Sequence, residues 1–451
     1  MTQPRRIDEG PERRRALELL RRYGRNATSF QILEPDFKYW FQNDDTCVGY
    51  VDTGSAWVAA GAPVTAEENF ATAVEGFVAA AAAEGRRVAF FAAESQLTET
   101  SGLAHLRIGV QPCWRPSSWR EKIRRHRSLR EQLRRARAKG LTVERLAPER
   151  VRDPAARSEL DGLLDEWIRS RPMPPMAFLV DLAPFSFPEE RRYFVARREG
   201  RVEGILVAVP IYQRKGWLFE DLLRRPGSPN GTTESLVAAA FEALAEEGSE
   251  HATLGLAPLA GDVGWLRWAR DWMGGFYNFR GVYGFKQKFD PDEWEPVYLA
   301  WPRGRNQLMV LYDALAAFAR GHVFRFAFSA LFRAPSIVMR LLALLTIPWG
   351  LALVLAEPRW FPSRGVQISW FVFDLLVAAA FWILGRGWKS RLAMLVAFAL
   401  TLDFTLTLMQ ILSFNAARVR SGGEWLVIVI SLFGPGLAAA ILWSGVWHRS
   451  R

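Results

Sequence analysis

Long apolar runs dominate the chain beyond about Arg333. Each run has about 20 residues, which is the length that an α-helix needs to cross the hydrocarbon core of a bilayer. A soluble domain does not require several apolar runs of this length in succession. The pattern therefore predicts an all-α bundle of about four transmembrane helices, at residues 337–356, 366–384, 392–414 and 425–447.

Basic residues flank these runs unequally. On the side of the N-terminal part lie Arg320, Arg325, Arg333, Arg386, Lys389, Arg391, Arg449 and Arg451, and on the opposite side lie Arg359, Arg364, Arg418 and Arg420. Positive residues concentrate in cytoplasmic loops, so this modest bias favours both chain ends inside. We therefore expect a multi-pass protein of a bacterial cell membrane with its N-terminal part in the cytoplasm.

The first 300 residues show shorter periodic segments of mixed type. Apolar alternation predicts strands at 46–52, 56–60, 87–92, 192–196, 204–211, 216–220 and 252–255, and helical spacing predicts helices at 12–24, 66–84, 155–169 and 232–246. We interpret this as two α/β lobes, 1–150 and 151–305. Residues 306–335 mix apolar and basic positions, which predicts either an amphipathic linker on the membrane surface or a simple tether.

Composition narrows the function classes. The chain has 451 residues and a formal net charge of +11, which comes mostly from arginine and favours phosphate-bearing partners such as nucleic acid or anionic lipid. Its two cysteines, Cys47 and Cys113, are too few for a disulfide framework and are not spaced as metal ligands. There is no P-loop, GxSxG, HExxH or CxxC motif, so no metal site or cofactor is expected.

An arginine-rich helix is predicted within residues 115–140. Arg124, Arg127, Arg130, Arg134 and Arg137 recur at spacings of three or four and form one face, which suits contacts with phosphate groups. A solvated charged helix is the alternative, although only Glu121 and Glu131 are available to neutralise it.

Two further segments could form a site. Residues 219–235 place acids and arginines before an Asn-Gly turn that opens a helix, where free backbone amides can bind an anion. The alternative is an ordinary turn and helix cap. Residues 276–302 combine aromatics with cationic side chains, and they could either wall a pocket or only seal the lobe.

Five segments together resemble the catalytic domain of phosphatidylglycerol lysyltransferases, also called lysyl-phosphatidylglycerol synthases. They are LRRYGRNATSF (20–30), HRSLREQLRRARAKGLTV (126–143), DLLRRPGSPNGTTESLV (221–237), LGLAPLAG (254–261) and YNFRGVYGFKQKFDPDEWEPVYLAW (277–301). The resemblance implies tandem lobes of the GNAT (acetyltransferase) type. It also implies transfer of an amino acid from aminoacyl-tRNA to a lipid headgroup, with aminoacyl-tRNA and anionic phospholipid as partners.

The resemblance also implies roles for individual residues. The implied catalytic residues are Asp221, Glu234 and Lys288. The implied substrate-binding residues are Glu220, Arg224, Arg225, Asn230, Gly231, Asn278 and Lys286, with Glu220 and Asp221 on the donor's amino group and the two arginines on a phosphate. The implied phosphate- and tRNA-binding residues are Arg127, Arg130, Arg134 and Arg137.

One departure and two alternatives remain open. In the synthases that this chain resembles, the membrane helices precede the catalytic domain, whereas here they follow it. The first alternative is a GNAT-type enzyme that uses acyl-CoA, although the usual Q/R-x-x-G-x-G/A turn is absent. The second is a non-catalytic protein that binds tRNA or anionic lipid, for which Asp374 and Asp403 inside the predicted spans are the best support.

Overall fold

The computed structural model describes residues 10–170, 177–180, 182–260, 264, 279–323 and 335–449. Within these residues the chain forms two compact units, one ending at Val323 and one comprising residues 335–449. The strands of the first unit are β1 (Lys38–Asn43), β2 (Thr46–Asp52), β3 (Ala56–Ala60), β4 (Arg87–Ala93), β5 (Ala104–Trp114), β6 (Thr142–Leu146), β7 (Arg192–Arg198), β8 (Arg201–Ile211), β9 (Gly216–Arg224), β10 (His251–Thr253), β11 (Ala257–Pro258) and β12 (Glu293–Trp301).

The helices of the first unit cover the two faces of its sheet. They are α1 (Pro11–Tyr23), α2 (Phe70–Ala83), α3 (Ser95–Thr100), α4 (Trp119–Arg125), α5 (Arg127–Ala138), α6 (Pro148–Arg152), α7 (Pro154–Ser170), α8 (Thr232–Glu246), α9 (Phe279–Gln287) and α10 (Gln307–Phe318). Short 3-10 helices occupy Ser29–Leu33, Glu67–Asn69, Pro116–Ser118, Phe178–Val180, Pro188–Glu190 and Tyr212–Arg214.

The described strands form one sheet in which the same topology occurs twice. The strands β1, β2 and β3 pair antiparallel, and β4 then returns through α2 to lie parallel to β3. In the second lobe β7, β8 and β9 pair antiparallel, and β10 returns through α8 to lie parallel to β9. The predicted α/β fold with tandem lobes, followed by apolar helices, is confirmed.

Two strands cross between the lobes. The sheet order is β1-β2-β3-β4-β12-β5-β10-β9-β8-β7-β6, with β11 paired to β5. Thus β5, which follows strands β1–β4 of the first lobe in the chain, pairs with β10 of the second lobe, and β12 pairs with β4 of the first. The aromatic segment that was interpreted as a pocket wall or a seal therefore supplies, in its last third, a central strand. The exchange makes the two lobes one unit with a continuous sheet.

An apolar core fills the seam between the lobes. It contains Leu20 of α1 and Ile32 of the following 3-10 helix, together with Val58, Ile211 and Leu218 from the strands of both lobes. Glycine is required where Ile32 approaches β2, because a Cβ at Gly49 would lie 2.4 Å from the Ile32 Cβ. The segment 29–34 is thus held between the lobes, which positions the residue that follows it.

The first part of the predicted linker belongs to this unit. One face of α10 is buried, and Asp313 of that face accepts hydrogen bonds from the Arg87 guanidinium at 2.7 and 2.5 Å. Residues 324–334 of the predicted linker lie outside the described residues.

The second unit contains four long apolar helices in its described residues. These are α11 (Pro335–Leu355), α12 (Arg364–Arg386), α13 (Ser390–Gln410) and α14 (Gly422–Arg449), with short helical turns at Pro358–Trp360, Ile411–Asn415 and Ala416–Arg418. All four are long and apolar enough to cross a membrane, as predicted, and the chain is a membrane protein. Asp403 is buried among them and accepts a hydrogen bond at 3.2 Å from the hydroxyl of Thr407 in the same helix.

Candidate functional site

A buried group of charged residues joins the two lobes, and we call it the acid cluster. It consists of Glu34, Arg191, Glu220 and Asp221. Arg191 is fully buried, and its guanidinium donates to Glu34 at 2.5 Å and to Glu220. The same guanidinium donates to the Ser186 carbonyl and hydroxyl at 2.7 and 2.9 Å. A carboxylate from the first lobe and one from the second are thus held by a single cation.

The acid cluster has more carboxylates than cations. Glu34 Oε2 and Glu220 Oε1 are buried and have no hydrogen-bond partner among the described residues. Burial raises the pKa of Glu34 to about 8, although Arg191 acts in the opposite direction. Burial and the adjacent Glu220 likewise raise the pKa of Asp221 to about 8. Burial of negative charge without a counter-ion is costly, so these carboxyl groups either hold protons or accept a second cation.

Local backbone structure explains how two consecutive acids reach this place. The pairing of β8 with β9 shifts register between Val207 and Ala208, whose partners are Asp221 and Phe219, so that Glu220 is the extra residue of a β-bulge. A bulge redirects the side chain of the extra residue, and bulges are frequent beside active sites. Here it allows Glu220 and Asp221 to approach Arg191 together.

A second group of predicted site residues lies at the start of α8. Gly231 precedes the helix with a φ of 101°, and a Cβ there would lie 3.1 Å from the Ala136 Cβ of α5. Glu234 in the first turn is 4% exposed, and it accepts hydrogen bonds from the Thr233 hydroxyl at 2.9 Å and from Lys288 Nζ at 3.3 Å. Two of the predicted catalytic residues, Glu234 and Lys288, are therefore in contact.

The arginine-rich helix α5 packs against this start of α8. Gln132 of α5 donates a hydrogen bond to the Asn230 side chain at 3.4 Å. Leu129, Leu133 and Ala136 face the core, whereas the four predicted phosphate-binding arginines of α5 are exposed. Those arginines are Arg127, Arg130, Arg134 and Arg137. The predicted phosphate-binding face thus adjoins Asn230 and Gly231.

The acid cluster and the α8 start lie on opposite faces of the sheet. Asp221 pairs with Val207, and directly paired side chains share a face. Val207 packs with Leu163 of α7. The other face carries Phe219, which packs beneath α8, the helix that contains Glu234. The three predicted catalytic residues therefore form two groups and not a single one.

The sequence profile of a family described as phosphatidylglycerol lysyltransferase, C-terminal, matches residues 17–301, which is more than half of the chain. The chain belongs to this family. Both the acid cluster and the α8 start lie within the matched region, so they are features of the lysyltransferase-family part of the molecule.

Individual relatives agree with the family assignment. A phosphatidylglycerol lysyltransferase from Bacillus subtilis (strain 168) is 29% identical over 166 residues, which are 34% of this chain and 19% of that protein. The chain therefore matches about a fifth of the length of this curated relative. A crystal structure of a C-terminal domain from Agrobacterium fabrum, described as a lysylphosphatidylglycerol synthetase, is 26% identical with a TM-score of 0.59 and covers 68% of this chain and 97% of its own. L-PGS from Bacillus licheniformis shares the fold at 21% identity and a TM-score of 0.60, over 69% of this chain and 98% of its own.

Some residues predicted from the family resemblance have internal partners. Arg225 is buried, forms an ion pair with Glu166 and donates to the Val202 carbonyl at 2.7 Å. Lys286 donates to the three carbonyls of residues 254–256, each at 2.8 Å. Both side chains therefore stabilise the fold through contacts within the protein. These contacts give no support to the predicted roles of the two residues in substrate binding. Arg224 is exposed at the end of β9, and Asn278 lies outside the described residues.

The sequence interpretation missed Glu34 and Arg191. Glu34 comes four residues after LRRYGRNATSF (20–30), a segment that carries the lysyltransferase resemblance, which was the available signal for it. Arg191 stands 157 residues further along the chain, in a stretch with no motif. A second charged group was also missed, in which the half-buried Arg214 contacts the buried Glu94 at 2.6 Å and Glu295 at 2.9 Å.

Proposed function

We propose that the chain transfers an amino acid from aminoacyl-tRNA to the headgroup of phosphatidylglycerol. The observation that carries this proposal is the acid cluster, with three carboxylates and one guanidinium at the seam between the lobes. A site of this kind suits the ammonium group of an aminoacyl ester, which would satisfy the unpaired oxygens of Glu34 and Glu220.

The reaction requires no change of oxidation state. A hydroxyl oxygen of the phosphatidylglycerol headgroup would attack the ester carbonyl that joins the amino acid to the terminal ribose of tRNA. A new ester bond forms, the old ester bond breaks, and the hydroxyl proton passes to the departing ribose oxygen. Because an aminoacyl ester is already activated, positioning and charge stabilisation can supply much of the rate.

The exposed arginines of α5 provide the complementary part of the proposal. Arg127 and Arg137 have no ion pair among the described contacts, whereas Arg134 is paired with Glu131 at 2.7 Å. We assign this face to the phosphates of the tRNA donor, with Lys288 at its edge. Removing a phosphate contact should weaken tRNA binding and reduce the salt dependence of the affinity by about one charge.

The decisive experiment uses the full chain in phosphatidylglycerol vesicles with radiolabelled aminoacyl-tRNA, and it follows label entering the lipid. RNase should abolish the labelling. Glu220→Gln should lower kcat/KM by about 10- to 100-fold, because a charge-assisted hydrogen bond contributes about 1.5–3 kcal/mol. The matched control is Glu250→Gln, an exposed carboxylate that is paired with Lys215 at 2.7 Å, and it should leave the rate unchanged.

The start of α8 favours one alternative donor. The first turn of a helix can bind a phosphate through its free amides, and a pyrophosphate of coenzyme A would suit it as well as tRNA would. A parallel reaction with acyl-CoA and no tRNA separates the two. RNase-resistant labelling from acyl-CoA would replace the proposal, and binding of charged tRNA with no product from any donor would indicate a non-catalytic protein.

A further inference from the structure

The helix α10 carries an exposed apolar stripe. Leu308, Tyr312 and Leu315 recur at the spacing of four and three residues that places side chains on one helix face, and they are 75%, 41% and 45% exposed. Met309 flanks the stripe and is 48% exposed. Among the described residues up to Val323, only Ile168 joins these four as an exposed large apolar side chain.

The opposite face fixes α10 on the first lobe. Val310, Ala314 and Ala317 are buried against it, and Asp313 holds Arg87 and the Ser55 hydroxyl. The exposed stripe therefore cannot turn inward without breaking a buried ion pair. Contiguous apolar surface on an otherwise polar unit marks a contact with another apolar phase.

Charge and chain position identify that phase. Arg303 and Arg305 are exposed just before the helix, and Arg320, which pairs with Asp36 at 3.4 Å, is partly exposed just after it. Only residues 319–334 separate the helix from α11, the first membrane-spanning helix. An apolar helical face bordered by arginines matches the surface of a bilayer with anionic headgroups, where the apolar side chains enter the interface and the guanidinium groups meet phosphates.

We propose that α10 is an interfacial helix that inserts Leu308, Met309, Tyr312 and Leu315 into the surface of an anionic lipid bilayer. This contact goes beyond the four membrane-spanning helices, because it belongs to the unit that contains the acid cluster. It does not depend on the identity of the amino-acid donor or on the transfer reaction.

The test uses fluorescent labelling of the full chain. Cys47 and Cys113 are buried, so a cysteine introduced by Tyr312→Cys is the reactive thiol of the folded protein. The labelled protein is reconstituted in vesicles of phosphatidylglycerol and phosphatidylcholine that contain lipids with spin labels on their acyl chains. The control is Glu250→Cys, at an exposed position of the second lobe.

We expect the spin-labelled lipids to quench the probe at position 312 several-fold more strongly than the probe at 250. Leu308→Cys and Leu315→Cys should give the same result, which guards against an effect of one label. Arg303→Gln should lower the equilibrium constant for contact of α10 with the bilayer surface about fivefold, which weakens quenching at position 312, and vesicles of phosphatidylcholine alone should lower it further.

Equal quenching at 312 and 250 would overturn the proposal. A blue-shifted probe at 312 without quenching would also overturn it, since that result would mean that protein covers the stripe, either residues 324–334 or a second copy of the chain. Because none of these measurements involves transfer of an amino acid, a failure here is distinguishable from a failure of the proposed function.

Discussion

Replacing Arg191 by methionine removes the only cation of the acid cluster and keeps an unbranched side chain of similar length. Glu34 and Glu220, whose side chains are 3% and 8% exposed, would then be buried without a counter-ion. Breaking a buried ion pair from one side costs about 3–5 kcal/mol. For a unit of this size we expect a fall of roughly 10 °C in the midpoint of thermal unfolding.

The two buried cysteines provide an assay that is specific for this unit. Cys47 and Cys113 are the only cysteines of the chain, and both lie in the unit that contains the acid cluster. A thiol-reactive fluorogenic dye should therefore label the full chain in detergent only when this unit unfolds. Arg145→Met is the matched control, because Arg145 is 43% exposed in its ion pair with Glu247 and should shift the midpoint little.

The effect of Arg191→Met should also depend on pH in a defined direction. Glu34 and Asp221 have a pKa of about 8 in the folded protein, above the ordinary value, so the folded state binds more protons than the unfolded state between pH 4 and 8. Their contribution to stability is therefore largest at low pH and is lost as the pH rises through about 8. Since Arg191 lowers the pKa of Glu34, its removal should cost more at pH 8.5 than at pH 6.

Two results would refute this reasoning. One is a shift for Arg191→Met that is no larger than the shift for Arg145→Met, and the other is an equal shift at pH 6 and pH 8.5. The combined variant Arg191→Met/Glu220→Gln supplies an internal check. It should be more stable than the sum of the single effects predicts, because removal of both partners leaves less uncompensated charge.

Three further predictions concern the α8 start and the exchanged strands. Gly231→Ala should destabilise the unit by about 1–3 kcal/mol and lower the transfer rate, because a Cβ at a φ of 101° would contact α5. Gly227→Ala is the control, since a Cβ there has open space and should leave the unfolding midpoint unchanged. Lys288→Ala should lower the transfer rate at least tenfold, whereas Lys215→Ala, which removes an exposed ion pair with Glu250, should leave the rate unchanged; an unaltered rate for Lys288→Ala would remove its role. Expression of residues 151–305 alone should give insoluble protein, because β10 and β12 would lack β5 between them and would expose unpaired strand edges. A soluble fragment that unfolds cooperatively would contradict the importance of the strand exchange.

The sequence predicted those elements whose apolar residues are contained in one continuous segment of the chain. The apolar runs predicted all four long apolar helices of the second unit. The predicted ends differ from the observed ends by at most four residues. The strands predicted at 46–52 and 56–60 coincide with β2 and β3, and the helix predicted at 232–246 coincides with α8. The signal for the two strands and the membrane helices is a continuous apolar run of suitable length, because β2 and β3 are buried at nearly every position and a bilayer accepts apolar side chains on every face of a helix.

The sequence could not predict β5 and β12 as partners or the composition of the acid cluster. The segment of β12 contains Trp294, Pro296 and Tyr298 among charged residues, which does not alternate like a strand with one buried face. Glu220 and Asp221 could be named from the family resemblance, but Glu34 and Arg191 meet them only because segment 29–34 is packed in the seam. Contacts over such separations depend on tertiary packing, which local pattern does not encode.

The exchanged strands and the acid cluster have a common consequence. Because β12 binds β4 and β5 binds β10, the lobes cannot move apart without breaking strand pairing on both sides of the seam. Arg214 of the second lobe also forms ion pairs with Glu94 of the first lobe and with Glu295 of β12, which stabilises the same seam. A cluster that takes Glu34 from the first lobe and Glu220 and Asp221 from the second needs this rigidity, since a small separation of the lobes would expose or unpair Glu34. The strand exchange therefore explains how two lobes of repeated topology can hold the acid cluster in a fixed geometry between them.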